Sequence, residues 1–206
     1  MVYIVGLGPG SKEYILPKAL GTLEKSKVII GFGRAIESLE FIEGCKLSAG
    51  TLKDILNYIN SNKDEDIAVV ASGDPCFYGI TDYIKRNYNQ EIEVIPGISS
   101  FQYLAAKLNK CWQGSHLGSL HGREEEFVEK VKENTLSIWL TDKKNTPADL
   151  CRKLVEAKIE AKVYVGENLS YKDEKITEGT AEEIAQMTFS ELSVVVIENL
   201  MLKEVE

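Results

Sequence analysis

Residues 2–10 read VYIVGLGPG, an apolar run that passes directly into a loop of glycine and proline. The run predicts a buried β-strand, because β-branched residues favour extended backbone and the glycines end it. Two further apolar runs, 67–71 and 92–95, are followed by Ser72-Gly73-Asp74-Pro75 and by Pro96-Gly97-Ile98-Ser99-Ser100. Each loop alone would indicate a tight turn. Ligands of an open α/β sheet bind at the carboxyl ends of its strands, so the three loops together indicate a binding cleft.

Outward from these loops, short β-branched runs alternate with helical patterns, which is typical of an α/β fold with a largely parallel sheet. Further strands are expected at 27–30, 45–47, 136–140, 162–165 and 193–197. Helices are expected to begin at Pro17, Thr51, Gly79, Ser99 or Ser100, Glu124, Thr146 and Thr180. Residues 110–122 are rich in Gly and Ser and are predicted to be irregular, which suggests an N-terminal α/β domain at 1–111 and a C-terminal one at 112–206.

The bulk composition bounds the function. The 206 residues carry a net charge of −8, which argues against non-specific nucleic-acid binding. No apolar run approaches the ~18 residues of a membrane span, and the first residues lack the features of a signal peptide. The four cysteines form no CxxC pair, so we expect reduced thiols in a cytoplasmic protein. His116 and His121 are poorly spaced for ligands on one helical face, and no metal site is expected.

The first loop also suggests a dinucleotide site, since Gly6-x-Gly8 follows a strand. Two features disfavour it: Ser11 occupies the place of the third glycine, and the second strand ends in Ile30-Gly31-Phe32 without the acid that binds ribose. A Walker phosphate loop is disfavoured because no glycine loop is followed by GK[ST].

In order and spacing, the three loops resemble those of the tetrapyrrole (corrin and porphyrin) methylase family, which has GxGPG, GDP and PGxSS/T loops. The segments GDPCFYG at 73–79, PGISSFQ at 96–102, SLHGR at 119–123 and GENLSY at 166–171 are similar to the branch that methylates C5 of a (cobalt-)precorrin in cobalamin biosynthesis. The resemblance extends over essentially the whole chain. It implies two α/β domains of the class III methyltransferase type with the cofactor in the inter-domain cleft. It also implies a homodimer, and a separate enzyme for methylation and decarboxylation at C15.

The resemblance further implies site residues. Contacts to S-adenosyl-L-methionine, with S-adenosyl-L-homocysteine as product, would fall on Pro9, Gly73, Asp74, Pro75, Tyr78, Ser99, Ser100, Leu140 and Leu169. Contacts to the macrocycle would fall on Gly8, Gly10, Arg34, His121 and Arg123.

The catalytic base stays open, with Asp74 and His121 as candidates. Asp74 has a plainer interpretation as a turn residue that bonds its own loop. His121 would accept a proton, and the two arginines would bind substrate carboxylates. Ser11 stands where some members of the family carry an acid, so no base is expected there.

Other functions remain open on the sequence. Within the family these are methylation at another precorrin position and a diphthine synthase-like activity on protein. Outside it they are a nucleotide-binding oxidoreductase and a non-catalytic ligand-binding module. The methyl acceptor would separate the first two from the C5 activity, and binding of NAD(P), or cofactor binding without turnover, would favour the others.

Overall fold

The computed structural model describes residues 1–122 and 125–202. The chain forms two compact units, Met1–Ser100 and Phe101–Glu206. Each is built on one five-stranded sheet with helices between its strands. The α/β class predicted from the sequence is therefore confirmed.

The first unit is a parallel sheet with the strand order β3-β2-β4-β1-β5. Its strands are β1 (Val2–Gly6), β2 (Val28–Phe32), β3 (Cys45–Ala49), β4 (Ile67–Ala71) and β5 (Ile92–Ile95). Its helices are α1 (Pro17–Lys25), α2 (Gly33–Glu37), α3 (Leu52–Ser61) and α4 (Thr81–Asn87), with a 3-10 turn at Lys12–Tyr14. All five strands expected here are confirmed, whereas α2 was not anticipated.

Helices cover both faces of this sheet, because successive side chains of a strand point to opposite sides. Ile4 of β1 packs in a cluster with Ile55 and Ile59 of α3. Its neighbour Val5 packs in the opposite cluster with Leu23 of α1. Burial on both faces explains why these strands read as continuous apolar runs instead of alternating ones.

The second unit has a mixed sheet with the strand order β6-β7-β10-β8-β9. Its strands are β6 (His116–Ser119), β7 (Leu136–Leu140), β8 (Ala161–Glu167), β9 (Lys175–Thr180) and β10 (Ser193–Asn199). Its helices are α5 (Ser100–Lys107), which begins at the end of the first unit, α6 (Phe127–Glu133), α7 (Pro147–Glu156) and α8 (Ala181–Ile184). β6 pairs with β7 in parallel, while β10 is antiparallel to β7 and β8, and β9 to β8. The expectation of a largely parallel sheet is right for the first unit and wrong for the second.

The prediction that residues 110–122 are irregular is wrong for His116–Ser119, which form β6. Gly118 suggested a loop, but its role is packing. A Cβ atom at Gly118 would lie 2.3 Å from the ring of Trp139 on the neighbouring strand. Trp139 is fully buried in the core of this unit, so the strand passes over the indole where only glycine fits.

Threonine caps define several helix starts. Thr51 and Asp54 form a reciprocal capping box at α3, and Thr146 and Asp149 form another at α7. In each, the threonine hydroxyl accepts from a backbone N–H that would otherwise have no partner, while the acid accepts from the backbone N–H of the threonine. The helix starts predicted at Pro17, Thr51, Thr146 and Thr180 are confirmed. Among the helices of the described ranges, none is long and apolar enough to cross a membrane.

Candidate functional site

Three glycine loops meet at one edge of the first sheet. β4, β1 and β5 are adjacent and parallel, so their carboxyl ends lie side by side. The backbones of Gly8 and Gly73 pair directly. The amide nitrogen of Gly8 lies 3.3 Å from the carbonyl oxygen of Gly73, and the amide nitrogen of Gly73 lies 2.7 Å from the carbonyl oxygen of Gly8. The loops that the sequence places after three separate strands therefore form one surface.

The approach of these loops depends on the absence of side chains at two positions. A Cβ atom at Gly6 would lie 2.6 Å from the amide nitrogen of Gly97. A Cβ atom at Gly97 would lie 2.2 Å from the carbonyl oxygen of Gly73. Both distances are shorter than atoms can approach without bonding, so glycine brings the backbone of the loops together here.

Asp74 ties the second loop to the third. Its Oδ1 accepts from the amide of Cys76 at 2.8 Å, within its own turn. Its Oδ2 accepts from the amide of Gly97 at 3.1 Å, across to the next loop. The plain interpretation of Asp74 as a turn residue thus holds, and the carboxylate in addition sets the spacing of two loops.

Tyr78 adopts a backbone conformation that is uncommon for a side chain of its size. Its φ of 52° lies in the left-handed region, which costs a non-glycine residue about 1–2 kcal/mol. Its ring packs edge-on against Phe77, with 4.9 Å between centroids, and is 37% exposed. Strain of this kind concentrates at functional sites.

The remaining residues expected in the first unit lie at or beside the same edge. Pro75 and Ser99 are buried, and Pro9, Gly10 and Ser100 are half-buried. Arg34 is exposed in α2, directly after β2, which runs parallel to β4 on the side away from β1.

Ser11 caps the 3-10 turn, where its hydroxyl accepts from the amide of Glu13 at 3.3 Å. Ser11 therefore has a structural role as the cap of this turn.

The second unit has an edge of its own that collects three predicted residues. β10 is antiparallel to both β7 and β8, so β6, β7 and β8 all end on the same side of the sheet. His121 follows β6, Leu140 ends β7 and Leu169 follows β8. Arg123, expected at the substrate, lies outside the described residues.

His121 is exposed, and its Nδ1 lies 3.2 Å from the carbonyl oxygen of Thr141. A carbonyl oxygen only accepts, so this hydrogen bond requires the proton on Nδ1. In the neutral ring the lone pair is then on Nε2. The geometry gives His121 the tautomer that a proton acceptor needs.

Asp142 fixes the loop of His121 and was missed by the sequence reasoning. Its Oδ2 accepts from the amide of Gly122 at 2.9 Å, and its Oδ1 accepts from the amides of Lys144 and Asn145. The amide of Gly122, with those of Asn145 and Lys144, lowers the pKa of Asp142 to about 2 despite some opposition from burial. An Asp followed by polar residues after a strand is a turn signal that could have identified it.

The turn after β8 is also unusual. Leu169 is 5% exposed, and its two neighbours Asn168 and Ser170 have φ values of 45° and 66°. A Cβ atom at Gly166 would lie 2.7 Å from the Leu169 side chain. This glycine therefore allows the leucine to fold back onto its own strand.

No group of three or more His, Cys, Asp or Glu side chains within 1–122 and 125–202 is arranged to hold a metal ion. His116 instead packs at a tilt against the ring of Trp139, with 4.9 Å between ring centroids. The two edges thus consist of backbone amides, packed glycines and a few polar side chains, which suits an organic ligand held by close backbone approach.

The family model of Tetrapyrrole (Corrin/Porphyrin) Methylases matches residues 1–185. The chain belongs to the tetrapyrrole methylase family, as the three loops indicated.

Relatives and solved structures agree with this assignment. The chain is 35% identical over 210 residues to the "Probable cobalt-precorrin-7 C(5)-methyltransferase" of Methanocaldococcus jannaschii, covering 96% of this chain and 98% of the relative. It is 30% identical to the cobalt-precorrin-7 C(5)-methyltransferase of Salmonella typhimurium, covering 85% and 89%.

The crystal structure of a precorrin-6Y methylase from Archaeoglobus fulgidus has a TM-score of 0.77 at 24% identity, covering 97% of this chain and 98% of that one. A cobalt precorrin-4 methyltransferase structure has a TM-score of 0.81 at 18% identity, covering 96% and 94%. At these identities the structures establish the shared fold.

Proposed function

We propose that this protein is an S-adenosyl-L-methionine-dependent methyltransferase that methylates C5 of a (cobalt-)precorrin in cobalamin biosynthesis. The observation that carries the proposal is the 35% identity to a relative named for this activity, over nearly the full length of both chains. The loop geometry supports it, because the loops that the family resemblance assigns to the cofactor form one surface in the first unit.

The methyl donor supplies an electrophilic carbon on a sulfonium sulfur and leaves as S-adenosyl-L-homocysteine. In the first unit we assign its contacts to the edge formed by Pro9, Gly73, Asp74, Pro75, Tyr78, Ser99 and Ser100. In the second unit we assign them to Leu140 and Leu169. The packed glycines let the three loops approach one another closely, and Tyr78, with its left-handed backbone, adds a partly exposed ring to the second loop. These features fit a flexible ligand with many polar groups.

The contribution of the protein to catalysis is mainly alignment. A conjugated tetrapyrrole already has nucleophilic carbons, so the chain has to hold the acceptor carbon in line with the methyl group and keep it there. This explains why no nucleophile or metal is needed at either edge.

We assign the removal of a proton from the methylated ring to His121. Its Nδ1–H is held by the carbonyl of Thr141, so Nε2 presents the lone pair. Asp74 is the weaker candidate, because both of its oxygens accept backbone amides that hold the loops. Gly8, Gly10, Arg34 and Arg123 are the further substrate contacts that we propose.

Two other methyl acceptors, a different carbon of the precorrin ring and a protein, can be distinguished from C5 by identifying the methylated product. The chain is 30% identical over 219 residues to a cobalt-precorrin-4 C(11)-methyltransferase of Methanocaldococcus jannaschii, so the ring position has to be read from the product. A diphthine synthase shares the fold with a TM-score of 0.73 at 18% identity, and methylation of a protein would reveal that activity.

We further propose that the protein is a cytoplasmic homodimer that binds neither nucleic acid nor membrane. Methylation at C15 of the precorrin would be the work of a separate enzyme. Three of the four cysteines are exposed and unpaired, which suits a reducing compartment. Exposed apolar side chains such as Leu192, Leu200 and Met201 suit contacts between copies of the chain. Light scattering of the purified protein tests the dimer.

Calorimetric titration with S-adenosylhomocysteine, with NADH as control, tests the cofactor. We expect one molecule of S-adenosylhomocysteine per chain with a micromolar Kd, and no heat from NADH. Binding of NADH, or of neither ligand, would contradict the proposal.

A further inference from the structure

The turn after β8 is held in place by side chains from outside it. Asn168 and Ser170 both have positive φ, a conformation that a chain segment keeps only when its surroundings enforce it. Within the turn, the amide of Tyr171 donates to the carbonyl of Asn168 at 3.0 Å. The more specific constraint comes from Glu174, three residues further on.

Glu174 connects this turn to α5. Its Oε2 accepts from the amide of Ser170 at 2.6 Å, directly after Leu169. Its Oε1 lies 3.6 Å from Nζ of Lys107, and the hydroxyl of Tyr103 donates a hydrogen bond to the same carboxylate. Tyr103 and Lys107 lie four residues apart on α5 and so project from the same face of that helix.

The protonation states of Glu174, Tyr103 and Lys107, which together we call the clamp, favour their mutual contacts. Burial of Glu174 opposes its ionisation, but hydrogen bonds from Tyr103 and Ser170 together with Lys107 outweigh burial and lower the pKa of Glu174. Burial, followed by the bond to Glu174, raises the pKa of Tyr103 to about 12. Near neutral pH the carboxylate accepts and the phenol donates, so the three contacts reinforce one another.

We propose that Glu174, fixed by Tyr103 and Lys107, is a positioning residue that holds the 168–170 turn in the conformation in which Leu169 contacts the methyl donor. This inference rests on the proposed function, because it assigns a purpose to the clamp only if the cofactor binds at Leu169. The ligand class is a nucleoside joined through a sulfonium sulfur to an amino acid, or its thioether product.

Calorimetry with S-adenosylhomocysteine tests the role in three variants. Glu174→Ala should weaken binding about tenfold, because it removes a charge-assisted set of hydrogen bonds. Glu174→Gln keeps an oxygen that can accept from Ser170 and should recover most of that loss. Tyr103→Phe removes one hydroxyl and should weaken binding about threefold. The control Glu156→Ala deletes an exposed carboxylate at the end of α7 and should bind like the wild type.

Recovery of S-adenosylhomocysteine affinity in Glu174→Gln would separate a positioning role from a general loss of stability. The unfolding midpoints of Tyr103→Phe and Glu174→Gln, measured without ligand, should likewise lie near that of the wild type. If Glu174→Ala fails to fold, Tyr103→Phe carries the test, and wild-type affinity in that variant overturns the clamp. Unchanged affinity in Glu174→Ala, or none recovered in Glu174→Gln, overturns it as well. A wild type that does not bind S-adenosylhomocysteine overturns the proposed function and the clamp together.

Discussion

Asp74 links two loops through a single carboxylate, with one oxygen on the amide of Cys76 and the other on the amide of Gly97. A hydrogen bond from a backbone amide to a charged acceptor contributes about 1.5–3 kcal/mol. The loops therefore depend on this side chain even though it lies near the surface. This makes Asp74 a residue whose loss should be felt in ligand binding.

We expect Asp74→Ala to weaken S-adenosylhomocysteine binding at least tenfold, because the second and third loops would lose their shared acceptor. Calorimetry measures this directly. Asp64→Ala, which removes an exposed carboxylate from a turn of the same unit, is the matched control. Equal affinity in both variants would remove Asp74 from the binding site.

His121 should affect turnover without affecting the cofactor. His121→Gln removes the basic nitrogen, so we expect the rate of methyl transfer to fall about 100-fold, in the usual range for loss of a general base. Binding of S-adenosylhomocysteine should change less than about twofold. A variant that turns over at the wild-type rate would show that the proton leaves by another route.

At the scale of elements, Thr51 and Thr146 cap the starts of α3 and α7, two helices that pack into separate cores. Each capping threonine accepts from a backbone amide inside the first turn. We expect Thr51→Ala and Thr146→Ala each to lower the free energy of unfolding by about 1 kcal/mol. Urea denaturation measures the effect, with the exposed Thr188→Ala, which caps no described helix, as control. A loss in the control as large as in the variants would refute the capping account.

The lowered pKa of Asp142 predicts that its contribution to the free energy of unfolding depends on pH. Its pKa in the folded protein, about 2, lies below the ordinary value of 3.8. A lowered pKa stabilises the folded state above the ordinary value, and that stabilisation is lost as the pH falls through the folded value. We expect the advantage of the wild type over Asp142→Asn in unfolding free energy to be constant above about pH 5 and to shrink towards pH 2. An advantage that is the same at pH 5 and pH 2 would contradict the assignment.

The elements show how far the sequence determines the fold. β1, β2 and β4 could be predicted because they are buried on both faces and read as unbroken apolar runs. β6 and β9 could not. Gly118 of β6 is a residue typical of turns, but it stands in a strand because the ring of Trp139 leaves no room for a side chain there. β9 is a largely exposed edge strand with polar residues. The antiparallel direction of β10 is set by pairing between distant strands, and no local pattern records it.

The site residues follow the same rule. Loops marked by glycine and proline could be located because those residues restrict or free the backbone in recognisable ways. Asp142 carries a local turn signal of this kind, although its bond to the amide of Gly122 appears only after folding. Glu174 could not be located, because it acts on the 168–170 turn through contacts that the sequence does not record. The sequence therefore located the loops to which we propose that the ligands bind, and the structure was needed to find the contacts of Glu174 that hold one of them.

At the scale of the whole molecule, the chain combines two α/β units, each with a loop-bearing edge at the carboxyl ends of strands that run in the same direction. A net charge of −8 means that a substrate rich in carboxylates must be met by local cations such as Arg34. The family assignment and the named relatives both indicate methyl transfer onto a tetrapyrrole.

The most direct test of this account is a reaction of the purified protein with cobalt-precorrin-7 and S-adenosyl-L-methionine labelled with ¹³C at the methyl group. Carbon NMR of the product shows where the label resides. The account predicts one new labelled methyl group, attached at C5, and one S-adenosylhomocysteine released for each. Label at another ring position, label on a protein acceptor, or no transfer would contradict it.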